Sequence, residues 1–73
     1  MIVYHWTNKE KGKLILKHGL RKGSWVCKNK EDWSGEVCLA IFGLEVDWEL
    51  RDGLAAWQAV THRKVRPGNI IIL

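Results

Sequence analysis

The sequence holds a single proline, two cysteines and no apolar run longer than a few residues. Each shortage excludes a class of protein. A membrane-spanning helix needs about 20 consecutive apolar residues, and none is present. The one proline and seven glycines are dispersed, so there is no Pro-rich or Gly/Ser-rich tract, and no internal repeat is visible. Cys27 and Cys38 are too few for a disulfide scaffold. Neither stands at metal-ligand spacing from a histidine or another cysteine, so no metal site is expected. Both are read as small, half-buried apolar residues, and a disulfide between them requires their strands to be neighbours. The opening Met1-Ile2-Val3-Tyr4-His5 lacks the charged and long apolar regions of a secretory signal. The chain is therefore expected in the cytoplasm, with no membrane partner and with reduced thiols.

What is present fits one globular domain over residues 1–73. With 47% hydrophobic and 27% charged residues, the chain has enough apolar material to fold and no signature of disorder. Such a short chain needs an efficient core, and five tryptophans are suited to supply it, each burying about 150–250 Å². Trp33, Trp48 and Trp57 are read as core, and Trp25 as either core or a ligand platform. The net charge of +4 and pI of about 9.3 favour an anionic ligand, a nucleic acid or an acidic protein partner. Most cations are interleaved with acids, as in Lys28-Asn29-Lys30-Glu31-Asp32. Only His62, Arg63, Lys64 and Arg66 form a basic cluster, either an anion- or partner-binding site or a solvated edge.

Ile2 to Trp6 is β-branched and aromatic without a breaker, which predicts a strand. Thr7, with Glu10 three residues on, makes a capping box and predicts a helix from about Asn8 to His18, capped by Thr7. Leu14, Ile15 and Leu16 form its apolar side; Gly12 weakens it, and Gly19-Leu20 ends it in a Schellman-type cap. Ser24 to Cys27 is a short strand. Glu36 to Phe42 is the most apolar stretch and is expected to be the central strand, with an extension past Gly43 to Val46 open. In Trp48 to Val60, Leu50, Leu54, Trp57 and Val60 recur at helical spacing, with an extended path for part of the segment as the competitor. Thr61 to Val65 is a candidate strand, Pro67-Gly68 a turn, and Ile70 to Leu73 a final strand. The order β-α-β-β-α-β-β gives an α+β domain: a small, mostly antiparallel sheet with one or two helices.

Several of these segments carry a resemblance in order. Tyr4-His5-Trp6-Thr7 leads into a helix ending Ile15-Leu16-Lys17-His18-Gly19-Leu20. Gly23-Ser24-Trp25-Val26 follows, and Val65-Arg66-Pro67-Gly68-Asn69-Ile70 closes the set. Together they resemble an ADP-ribosyltransferase-like domain of the diphtheria-toxin and poly(ADP-ribose) polymerase kind. Such domains open on Tyr-His-x-Thr, end the first helix in Ile-x-x-x-Gly-Leu, continue with a Gly-x-aromatic strand, and often close on Ile-Pro-Pro-x-Asn-Ile. The resemblance covers roughly half the chain, at its two ends; the middle is shorter than is usual for the family.

The resemblance implies NAD or a related nucleotide as ligand. It implies that His5 bonds a ribose hydroxyl, that Trp6 and Thr7 lend backbone and strand end, and that Trp25 stacks on the nicotinamide ring. The family usually has a small residue next to the histidine, so Trp6 would crowd the ligand unless its side chain points into the core. The catalytic glutamate of the family falls near Gln58. A neutral amide can bond a ribose but cannot offset developing positive charge. Glu36, Glu45 and Glu49 are the other candidate acids. The expected function is thus a catalytically degenerate domain that binds a nucleotide-like ligand or a protein partner. By analogy, very small proteins of this kind are often virus-encoded effectors or inhibitors. An active minimal ADP-ribosyltransferase or NAD-cleaving enzyme is the first alternative, disfavoured by Gln58 and the short middle. A small basic nucleic-acid binder is the second, disfavoured because no aromatic–basic repeat marks a strand-tracking groove.

Overall fold

A computed structural model of the chain describes residues 2–44 and 57–73. These form a small α+β fold of one α-helix and a five-stranded antiparallel sheet. The strands are β1 (Ile2–Thr7), β2 (Trp25–Cys27), β3 (Val37–Phe42), β4 (Gln58–Val60) and β5 (Ile70–Ile72), and helix α1 spans Lys9–His18. Short 3₁₀ turns cover Lys30–Asp32 and Pro67–Asn69. The sheet order is β4-β2-β1-β3-β5, so β1, not the more apolar β3, holds the middle. No helix among the described residues is long and apolar enough to cross a membrane.

Alternation along the strands separates two faces. Val3 on β1, Val26 on β2, Leu39 and Ile41 on β3, Ala59 on β4 and Ile70 on β5 share one face and are all buried. Leu20, Leu44 and Val65 complete this core, and Ile15 and Leu16 of α1 pack against it. Leu14, expected on the same side of the helix, is exposed. The core is aliphatic throughout: none of the described tryptophans belongs to it. The expectation that Trp33 and Trp57 build the core is therefore not met; Trp33 is exposed and Trp57 half-buried.

The start of α1 corrects the predicted cap. Thr7 is the last paired residue of β1, opposite Val37, and the ladder holds its backbone in the sheet. Asn8 takes the cap instead: its Oδ1 accepts the Lys11 N–H at 2.8 Å. A second bond comes from outside the helix, where Glu36 Oε1 accepts the Lys9 N–H at 2.8 Å. Gly12 is the one buried residue of α1. A Cβ there would lie 2.9 Å from Val37 Cγ2, so the glycine that weakens the helix in isolation is what lets it approach β3.

The second half of the chain departs further from expectation. Residues 45–56, where most of the second helix was placed, lie outside the described residues, as do Glu45, Trp48 and Glu49. The end of that segment is strand: Gln58, Ala59 and Val60 pair with Cys27, Val26 and Trp25. The predicted strand over 61–65 is a connecting segment, with a single bridge from Val65 to Leu20. Thr61 explains the break. It is a buried polar residue, and its hydroxyl donates to the Arg21 carbonyl at 3.0 Å and accepts from the Ser24 N–H at 3.0 Å. The Thr61 backbone adds bonds to Ser24 and Gly23. These four bonds tie the chain to the turn before β2, and it cannot continue as a ladder.

Candidate functional site

The cavity follows from an uneven seam in the sheet. Six residue pairs join β1 to β3, whereas Tyr4 and Cys27 are the only pair joining β1 to β2. All three residues of β2 pair with β4 along its other edge, whereas His5 and Trp25 are not paired across the β1–β2 edge. His5 spans the gap with its side chain: Nδ1 lies 2.6 Å from the Trp25 carbonyl oxygen. A carbonyl can only accept, so Nδ1 carries the proton, and Nε2 is the ring nitrogen left for a ligand.

A cavity of about 560 Å³ opens at this seam, within the roughly 300–1,000 Å³ range of small-molecule pockets. His5, Trp6 and Thr7 line it from β1, Trp25 from β2 and Gln58 from β4. These are the five ligand and acid positions singled out in the sequence, and they come from three separate segments. The structure adds Tyr4, Ser24, Val26, Cys27, Lys11, Trp33 and Trp57. All four described tryptophans therefore face one cavity. Trp25 and Trp33 are each more than half exposed, and the Trp33 and Trp57 rings lie 5.6 Å apart at 35°. Trp6 lines the cavity and does not turn into the core; its indole N–H donates to the Lys30 carbonyl at 3.0 Å, pinning the Lys30–Asp32 turn.

No carboxylate lines this cavity among the described residues. Glu36 is spent on capping α1 and does not reach it. The one Lys or Arg among the described lining residues is Lys11, in the first turn of α1. That is where the helix dipole disfavours a positive charge, and this mismatch is the sequence signal that could have marked Lys11. Trp33 and Trp57 offered no such signal, since nothing local separates a wall tryptophan from a core one.

The cysteines sit on the face opposite the core. Cys27 pairs with Tyr4 and Cys38 with Trp6, so β1 runs between them. Both are free and buried, and their strands are not neighbours. Burial pushes the Cys27 thiol up to about 11, with nearby Asp32 adding to the effect. Burial likewise raises Cys38. A thiol at that level is a poor nucleophile at neutral pH, so the cavity offers Cys27 as a neutral wall. The folded chain keeps this proton between about pH 9 and about 11, where the unfolded thiol has lost it. Stability should therefore be intact below about pH 9 and fall as pH rises toward 11. Denaturation midpoints across that window should decline less steeply in Cys27→Ala than in the wild type; equal slopes would mean the thiol is not sequestered.

The predicted basic cluster divides. His62, Arg63, Lys64 and Arg66 are all exposed and none reaches the seam cavity. Arg63, Lys64 and Arg66 instead line a second cavity of about 310 Å³, which His62 does not enter. No group of three or more His, Cys, Asp or Glu side chains gathers at metal-binding distance among the described residues. No family model, curated protein or solved structure matches the chain.

Proposed function

We propose that the chain is a catalytically degenerate ADP-ribosyltransferase-like domain that binds a nucleotide-like ligand, NAD or a relative, at the β1–β2 seam. The observation that carries this reading is convergence. His5, Trp25, Gln58 and the remaining described tryptophans come from distant parts of the sequence and line one cavity. Exposed indoles are expensive to leave in water in a chain this small, and planar faces around a cleft suit a heteroaromatic ring. The residues fit such a ligand. Trp25, Trp33 and Trp57 offer stacking faces, and Lys11 offers a charge for phosphate. With Nδ1 of His5 committed to the Trp25 carbonyl, Nε2 is the ring nitrogen that would bond a ribose hydroxyl. Gln58 would bond the ribose without a charge. The absence of a carboxylate among the described lining residues favours binding over turnover.

The test is tryptophan fluorescence during titration with NAD and with ADP-ribose. Saturable quenching is expected. Trp25→Ala should weaken binding by about fivefold to a hundredfold, the worth of one stacked ring, and Trp25→Tyr should restore most of it. His5→Ala should weaken it as well. Absence of saturable quenching up to millimolar ligand, or undiminished affinity in Trp25→Ala, would overturn the reading.

A further inference from the structure

The second cavity lies at the other end of the sheet. The seam cavity draws on residues 4–7 of β1, whereas the second begins at Phe42, whose partner is Ile2. Its walls are the turn after β3 on one side and the segment Arg63 to Asn69 on the other. Among the described residues, three of its lining side chains are cations and none is an acid.

The cations are held in place by the fold. Val65 is buried and exchanges two 2.9 Å backbone hydrogen bonds with Leu20, which fixes this stretch of chain against the core. In an extended segment the neighbours of an inward residue point outward together. The exposed Lys64 and Arg66 are those neighbours, and Arg66 has an extended backbone. Arg63 reaches across the cavity and donates from Nη2 to the Gly43 carbonyl at 3.1 Å. That bond uses one of the five N–H donors of the guanidinium and braces the rest at the rim. Asn69 adds a side-chain amide.

We propose that this cavity is a second ligand site, specific for the phosphate or pyrophosphate group of a small molecule. A compact polyanion matches the charge, the donors and the volume. A nucleic-acid strand fits less well. The cations surround a single concavity and do not follow a stripe, and no tryptophan is among its described lining residues to stack a base. This site does not depend on the nucleotide reading of the seam cavity, since the two share no described lining residue.

The experiment is a backbone amide NMR titration of the full chain with inorganic pyrophosphate at low and at moderate salt. Saturable shifts are expected at residues 43–44, 63–66 and 69, weakening as salt rises, with His5 and Trp25 unmoved. Lys64→Gln/Arg66→Gln should raise the dissociation constant about tenfold or more, and His62→Gln should leave it unchanged. Because both replaced side chains are exposed, melting temperatures should stay close to wild type. Arg63→Gln is the second variant, and it tests the brace to Gly43. Shifts centred on the seam cavity, unchanged affinity in the double variant, or no saturation at millimolar pyrophosphate would each overturn the proposal. So would binding of a single-stranded oligonucleotide that pyrophosphate fails to displace, which would identify a nucleic-acid surface instead.

Discussion

Gly19→Ala is expected to destabilise the domain more than replacement of any other described glycine, by about 3 kcal/mol or more. Two independent effects add there. Gly19 has φ 91° and ψ 174°, a region open essentially to glycine alone, and holding a side-chain-bearing residue in it costs about 1–3 kcal/mol. A Cβ would also collide with the carbonyl oxygen of Val65. That oxygen accepts the Leu20 N–H, and the Val65 N–H donates back to Leu20. Relieving the collision therefore loosens both bonds and draws Leu20 and Val65 out of the core. At about 4–8 °C per kcal/mol in a domain of this size, the melting temperature should fall by roughly 12 °C or more. Two other positions separate the causes. Gly23 has φ 86° but open space around it, so Gly23→Ala should show the backbone cost alone. Gly68 has neither constraint, and Gly68→Ala should be nearly neutral. Equal melting temperatures for Gly19→Ala and Gly23→Ala would mean that the Val65 segment yields freely and does not anchor the helix end.

That anchor was only half visible in the sequence. Gly19-Leu20 announced the end of α1, because a glycine followed by an apolar residue is a local signal. Its partner, Val65, is 45 positions away and sits in a stretch that reads equally well as a strand. Elements whose cause is local were legible: the β-branched run of β1, the helix after it, the apolar β3 and the isoleucines of β5. Elements decided by tertiary contacts were not. Thr7 and Asn8 are both good caps, and pairing of Thr7 with Val37 decided between them. Val60 falls at helical spacing from Trp57, yet pairing with Trp25 makes it strand. The cavity was legible through His5, Trp25 and Gln58, whose positions the resemblance supplied. Trp33 and Trp57 were not, because they reach the cavity from segments far from β1 in the sequence and nothing local marks them.

The same seam leads to the prediction about chemistry. The wild-type chain is expected to release no measurable nicotinamide from NAD over hours, and Gln58→Glu is expected to gain activity. Cleaving the bond between nicotinamide and ribose sends the electron pair out with nicotinamide and builds positive charge on the ribose. A preorganised group that offsets such charge is worth roughly 2.7–4 kcal/mol, or 10²–10³ in rate. Gln58 pairs with Cys27 and lines the cavity beside His5 and Trp25, so a carboxylate there would replace the amide on the same strand. The expected gain is up to that factor, with ligand affinity little changed, because a carboxylate can keep the ribose bond proposed for the Gln58 amide and the contacts proposed for Trp25 and His5 would be untouched. Nicotinamide release and fluorescence quenching measured on the same samples separate turnover from binding. A variant that binds as before but gains nothing would show that Gln58 does not stand where a catalytic acid would act. Robust release by the wild-type chain would overturn the degenerate reading. Glu36 is committed to the Lys9 amide, so Glu45 and Glu49, the other candidate acids of the sequence, would be the next to replace with glutamine.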